Sequence, residues 1–164
     1  MPVTVPDYVL TVERSRLAGF FLLFSRFEFA LKAAGFAKAG CWGAEVDWNK
    51  FSQEIGPKLL PPTDSSLKNA IGYLEESPPK QQKYENGGLS WEPRPAPQSY
   101  SQMRALVFFM QGVRNNLMHG AKFLEKETTD PERDLKLLNA AECVVSACLA
   151  QSAKAYHAFD SEAL

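Results

Sequence analysis

An apolar stripe near the start of the chain constrains the fold more than any other feature. Leu17, Phe20, Phe24, Phe27, Leu31 and Ala34 recur at three- and four-residue spacing. That period lines up one face of an α-helix, and it predicts a helix over about Thr11 to Ala39. Phe21 and Phe29 fall outside the stripe, so more than one neighbour must bury this helix, with a second subunit among the candidates. The polar side carries Arg26, Glu28 and Lys32, and Glu28 precedes Lys32 by four residues. That order favours an ion pair on a solvated face. Gly35 and Gly40 mark where the helix frays or ends.

The rest of the chain reads as further helices with one interruption. Asp47 is the candidate N-cap of a short helix with Trp48, Phe51 and Ile55 on its apolar side, and Gly56-Pro57 is its stop signal. Thr63, Asp64 or Ser65 caps a second, with Leu67, Ala70, Ile71 and Leu74 inward and Pro78-Pro79 at its end. Ser99 or Ser101 caps a third, in which Leu106, Met110, Val113 and Leu117 share a face. Gly112, interior to that helix, implies close packing against another backbone. A charged connector over Ala121 to Thr129 leads to a last helix that starts near Pro131 and runs to about Phe159. Its expected apolar line is Leu135, Leu138, Val145, Leu149 and Tyr156. Met1 to Tyr8 reads as an extended arm. The interruption, about 78–98, holds Asn86-Gly87, a strong two-residue hairpin signal, followed by Pro93, Pro95 and Pro97. The expected fold is all-α: a single domain over 1–164, built as an antiparallel helical bundle with short intervening helices and a small hairpin flap.

Composition sets outer bounds. With 18 basic and 19 acidic residues the net charge is −1, which argues against coating nucleic acid through bulk charge. Cys41, Cys143 and Cys148 form no CxxC and have no histidine nearby, so no zinc site is expected and the thiols read as small core residues. An odd cysteine count suits a reducing cytoplasm. The apolar run Ala18 to Phe24 is too short to span a bilayer, and Met1 to Asp7 carries no basic charge, so neither a membrane span nor a typical signal peptide is expected.

The chemistry concentrates in Arg114-Asn115-Asn116-Leu117-Met118-His119, closed by Gly120. Arginine offers a planar, permanently charged fork of donors suited to phosphate. Histidine exchanges a proton near neutral pH. The two asparagines supply neutral hydrogen bonds. At about 100° per residue, five positions put Arg114 and His119 on different faces of an unbroken helix. The spacing therefore suits a helix-end site or a two-fold interface that brings two copies together. One matching reaction is cleavage of RNA by its own 2′-OH, with histidine moving the proton and arginine stabilising charge on the phosphate. A histidine at a helix C-terminus also serves as a dipole partner or cap, so a structural reading stays open beside the catalytic one.

This string resembles the R-x4–6-H motif of HEPN domains (higher eukaryotes and prokaryotes nucleotide-binding), with Arg114 and His119 as the motif residues and Asn115 as the polar residue that often follows the arginine. The wider run Arg114 to Phe123 resembles a subgroup of small bacterial members, and Ser77-Pro78-Pro79-Lys80-Gln81-Gln82 is similar to part of that subgroup's pattern. The resemblance implies a helical bundle with the motif late in a helix. It implies a metal-independent endoribonuclease that needs no cofactor and dimerises so that two motifs share a cleft. It further implies RNA as substrate and an antitoxin or phage-defence partner. Some members are instead non-catalytic modules that bind a nucleotide, RNA or a protein. Tyrosine often stands two residues after the histidine in toxins paired with a nucleotidyltransferase; here Ala121 stands there, and control through that tyrosine is not implied.

Other residues have two readings each. Glu28 either orients Arg114 or His119 or simply pairs with Lys32. Asn116, Lys122 and Lys126 are candidate substrate contacts, the lysines equally a solvated charge run. Lys80, Lys83 and Arg94 in the flap can form an RNA-binding edge with Tyr84 and Trp91 as stacking surfaces, or Trp91 packs the flap onto the helices. His157 reads as a dipole partner near the end of the last helix.

Overall fold

A computed structural model describes residues 3, 4, 6–118 and 130–161. The described residues are mostly helical, with six α-helices and two small antiparallel hairpins. After a 3-10 turn at Asp7–Val9, α1 runs Arg14–Leu31. The expected stripe is its buried face: Leu17, Phe20, Phe24, Phe27 and Leu31 are all buried.

The chain leaves α1 earlier than the sequence suggests. A π-type turn, Lys32–Phe36, holds Gly35 at a φ of 99°, a left-handed conformation that favours glycine and ends helices. Beyond it, β1 (Ala37–Gly40) and β2 (Gly43–Val46) form a hairpin where a helix to Ala39 is expected. Only Val46 of these strands is buried, so no alternation of apolar residues announces them. Cys41 and Trp42 at the tip are exposed, Trp42 at 98%. Cys41 is thus not a core residue.

Asp47 caps α2, Trp48–Leu59, by accepting from the Lys50 amide. This helix passes through Gly56-Pro57 instead of stopping there. Leu59 is buried, and Gly56 lies so close to Met103 that an added Cβ would come within 3.1 Å of it. We attribute the extra turn to that packing, which offsets the hydrogen bond a mid-helix proline forgoes. Asp64 caps α3, Ser65–Glu76, and its expected apolar residues are buried. The chain then turns at Pro78-Pro79 into β3 (Gln81–Glu85) and β4 (Gly88–Glu92). Asn86 and Gly87 both have positive φ, 52° and 79°, the two-residue turn expected.

Ser101 accepts from the Arg104 amide and starts α4, Gln102–Met118. Asp130 caps α5, Pro131–Ala150, and Ser152 caps α6, Ala153–Asp160. The single long last helix is therefore broken at Gln151-Ser152, where the serine hydroxyl takes the Ala155 amide and offers the backbone an alternative to continuing. The break resets the helical phase. Tyr156, beyond it, is 55% exposed, whereas Leu138, Val145 and Leu149 of the expected line are buried together with Leu137, Ala141, Val144 and Cys148; Leu135, in the first turns of α5, is 40% exposed. Arg26 holds α6 across α1, donating from Nε to Phe159 O at 2.9 Å and from Nη2 to Ser161 O at 2.6 Å.

One core joins all six helices. Its aromatic centre is Phe24, Phe27, Trp48, Phe51 and Phe36, with ring centres 5.4–6.5 Å apart. No helix among the described residues is long and apolar enough to cross a membrane.

Candidate functional site

The last turns of α4 carry the candidate site. His119, Gly120, Ala121, Lys122 and Lys126 lie outside the described residues, as does the connector expected over Ala121 to Thr129. The description therefore centres on Arg114.

Arg114 reaches back to α1. Phe24 and Glu28 are four residues apart on that helix, so they share one face. The Arg114 guanidinium donates from Nη2 to Glu28 Oε1 at 2.8 Å and sits 5.6 Å from the centre of the Phe24 ring. Glu28 is thus the partner of Arg114 and not, as the solvated-face reading had it, of Lys32. Phe24 and Leu31 bury the same α1 face against the core, which leaves Glu28 at its margin. The side chains of Arg114 and Glu28 keep 30% and 25% exposure, so water screens the pair and its net contribution to stability is under about 1 kcal/mol. Its structural effect is orientation. Arg114 Nε is shielded from solvent without a partner among the described residues.

The neighbouring asparagines behave differently. Asn115 is half-buried and makes no side-chain hydrogen bond to a described residue. Asn116, about 200° around the helix from Arg114, donates from Nδ2 to Lys80 O at 2.7 Å. Its amide nitrogen thus ties the base of the flap to α4 on a face away from Arg114.

That tie belongs to a strap along Ser77–Lys80. Arg133 on α5 donates from Nη2 to Pro78 O at 2.7 Å and to Ser77 O at 3.4 Å. Pro79 lies against Gly112, where an added Cβ would come within 2.8 Å of its Cγ. The close approach expected at Gly112 is therefore to a proline ring, not to another backbone. The strap joins the end of α3, the last turns of α4 and the start of α5. No local spacing in the sequence marks Arg133, because its partners are 55 and 56 residues away.

In the flap, Lys83 bonds Glu92 at 2.6 Å, and this hydrogen bond, with the charge of Glu92, raises its pKa. An ammonium so paired is a weaker RNA contact than the open edge expected. Tyr84 and Leu89 are exposed, and Trp91 is half-buried. Arg94 stacks on Phe108 of α4, 4.4 Å from the ring centre. His157 is exposed in the last turn of α6, consistent with a dipole partner. Burial pushes the Cys148 thiol up to about 12, so it stays protonated at neutral pH and offers no nucleophile. Three or more His, Cys, Asp or Glu side chains do not gather into a metal-binding group among the described residues.

What this arrangement offers chemically is one oriented guanidinium in the last turns of α4, held through a single bonded nitrogen, five residues before the histidine of the motif. Compared with protein-family models, curated proteins and solved structures, the chain matches none.

Proposed function

We propose that this chain is a metal-independent endoribonuclease of the HEPN type. On this reading it is an antiparallel helical bundle acting as a homodimer through the Arg114–His119 segment. The 2′-oxygen of RNA attacks the adjacent phosphorus, and the 5′-oxygen leaves. The products are a 2′,3′-cyclic phosphate and a 5′-hydroxyl. His119 moves the proton, either from the 2′-OH or to the leaving oxygen. Arg114 stabilises the charge that builds on the phosphate oxygens, and Asn115 helps to position the group. Two copies across a two-fold axis would let one histidine act as base and the other as acid.

The observation that carries this reading is the mounting of Arg114. Glu28 and Phe24 fix its orientation while Glu28 takes only Nη2, and a pre-oriented fork is what charge stabilisation in a transition state requires. Action on RNA in the cytoplasm, as a toxin or a phage-defence agent with an antitoxin or defence partner, is the biological setting the motif suggests.

A non-catalytic binding module is the second reading. The Glu28 carboxylate already partners Arg114, which lowers its attraction for a phosphate in the ground state and weighs against this second reading. Cleavage of mixed RNA in EDTA, comparing wild type with His119→Ala and Arg114→Ala, separates the two. Products ending in 2′,3′-cyclic phosphate that vanish in both variants support the nuclease. Saturable RNA binding without turnover by folded, dimeric wild type supports the module instead.

A further inference from the structure

A second cleft, remote from Arg114, opens between α2 and the start of α4. It measures about 400 Å³ and is lined by Asn49, Gln53, Ser99, Tyr100, Ser101 and Arg104, with Ser52 at its base and buried. Small-molecule sites begin at roughly this size. Its lining includes no carboxylate.

Arg104 is held on two sides within it. Nε donates to Asn49 Oδ1 at 2.9 Å, and the guanidinium carbon lies 4.4 Å from the centre of the Tyr100 ring. Its Nη1 is shielded from solvent and has no partner among the described residues. Of the other arginines, all but Arg94 have a carboxylate or a backbone carbonyl oxygen as partner. Arg14, Arg16 and Arg114 each pair with a carboxylate, and Arg26 and Arg133 bond backbone carbonyl oxygens. Arg104 has an amide and a ring, and neither cancels its charge. Arg94 adds a second cation nearby, stacked on Phe108, whose ring meets Tyr100 edge-on at 6.0 Å.

We infer that this cleft binds a phosphorylated sugar, with Arg104 taking the phosphate. A fixed, uncompensated guanidinium selects an anion with several oxygens. The amide of Gln53 and the hydroxyls of Ser99 and Ser101 suit a hydroxyl-rich body. Tyr100 offers no open platform for a flat ring, because the Arg104 guanidinium stands over it. Ten residues along α4 separate Arg104 from Arg114, roughly 15 Å of helix rise, so this site does not depend on the nuclease reading.

Isothermal titration of the full chain with ribose 5-phosphate tests the site, with ribose and inorganic phosphate as comparison probes. Wild type should bind one ribose 5-phosphate per chain with a dissociation constant on the order of 0.1–1 mM. Inorganic phosphate should bind more weakly, and ribose should not register. Arg104→Gln should weaken binding by roughly tenfold or more, the loss of a charge-assisted contact. Asn49→Ala, which keeps the charge but frees the guanidinium, should weaken it by a smaller factor and decides the matter if Arg104→Gln fails to fold. Arg114→Gln should bind as wild type does. No saturable binding by wild type up to roughly 10 mM overturns the inference. So does undiminished binding by the folded variants at 104 and 49, or loss of binding in Arg114→Gln. Inorganic phosphate binding as tightly as the sugar phosphate overturns the sugar assignment.

Discussion

Glu28 is the residue through which the proposed chemistry is most directly tested. Replacing it with Gln keeps the shape and removes the charge that orients Arg114. Because both side chains are partly exposed, the expected loss of stability is under about 1 kcal/mol. If the nuclease reading holds, RNA cleavage should fall by roughly tenfold in the chemical step, since a misplaced guanidinium stabilises the transition state less well. Matched thermal melts and single-turnover cleavage rates check both halves. A wild-type rate in Glu28→Gln would remove Glu28 from the positioning of Arg114. Cys148 gives an independent pH prediction. Its thiol is held near 12 in the fold against an ordinary 9.0, so between those values the unfolded chain releases a proton that the folded one keeps. Stability is intact below about pH 9 and falls as pH rises toward the folded value, at about 1.4 kcal/mol per pH unit from this group. Urea unfolding at pH 9 and pH 11 should show wild type losing more stability than Cys148→Ala. Parallel losses would mean that burial does not hold the thiol protonated.

At the scale of elements, the decisive joints are the ends of helices. Ser152 separates α5 from α6, and Arg26 fastens the far end of α6 to α1 through Phe159 O and Ser161 O. A guanidinium at a helix C-terminus satisfies open carbonyl groups and opposes the negative end of the helix dipole. Arg26→Met should therefore cost about 1–2 kcal/mol. Its effect should be local, with α6 amides losing hydrogen-exchange protection while α3 and α4 keep theirs. Uniform loss across all helices would show that α6 does not depend on Arg26 separately. The strap at Ser77–Lys80 is a second joint. Through Pro79 on Gly112, Asn116 on Lys80 O and Arg133 on Pro78 O, it fixes the last turns of α4 against α5.

For the whole molecule, charge and assembly matter most. A net charge of −1 gives RNA no general attraction to the chain, so RNA engagement on the nuclease reading relies on local cations such as Arg114. The homodimer proposed for that activity predicts that specific cleavage activity falls on dilution, in step with dissociation measured by sedimentation equilibrium. Constant specific activity from a sedimenting monomer would exclude a shared cleft. Arg104, near the start of α4, and Arg94, stacked on Phe108 of that helix, lie away from Arg114, which gives the molecule a second anion-directed surface independent of that assembly.

The sequence by itself determined those features whose cause is local. The α1 stripe, the cap at Asp47 and the Asn86-Gly87 turn follow from spacing and nearby backbone groups, whereas the same signals narrow the caps of α3 and α4 only to Thr63, Asp64 or Ser65 and to Ser99 or Ser101. The Arg114–His119 string was legible as residue types and spacing, which is all that a motif contains. Tertiary structure decided what depends on distant partners. The β1–β2 hairpin carries almost no buried residue, so it left no period to read. The passage of α2 through Pro57 accompanies burial of Leu59 and close packing on Met103. Glu28 had a plausible partner four residues away, yet it meets Arg114 across 86 residues, because helix packing sets which faces meet. Arg104 shows the same limit: its charge is evident from sequence, but only the packed helices leave it in a cleft without a carboxylate.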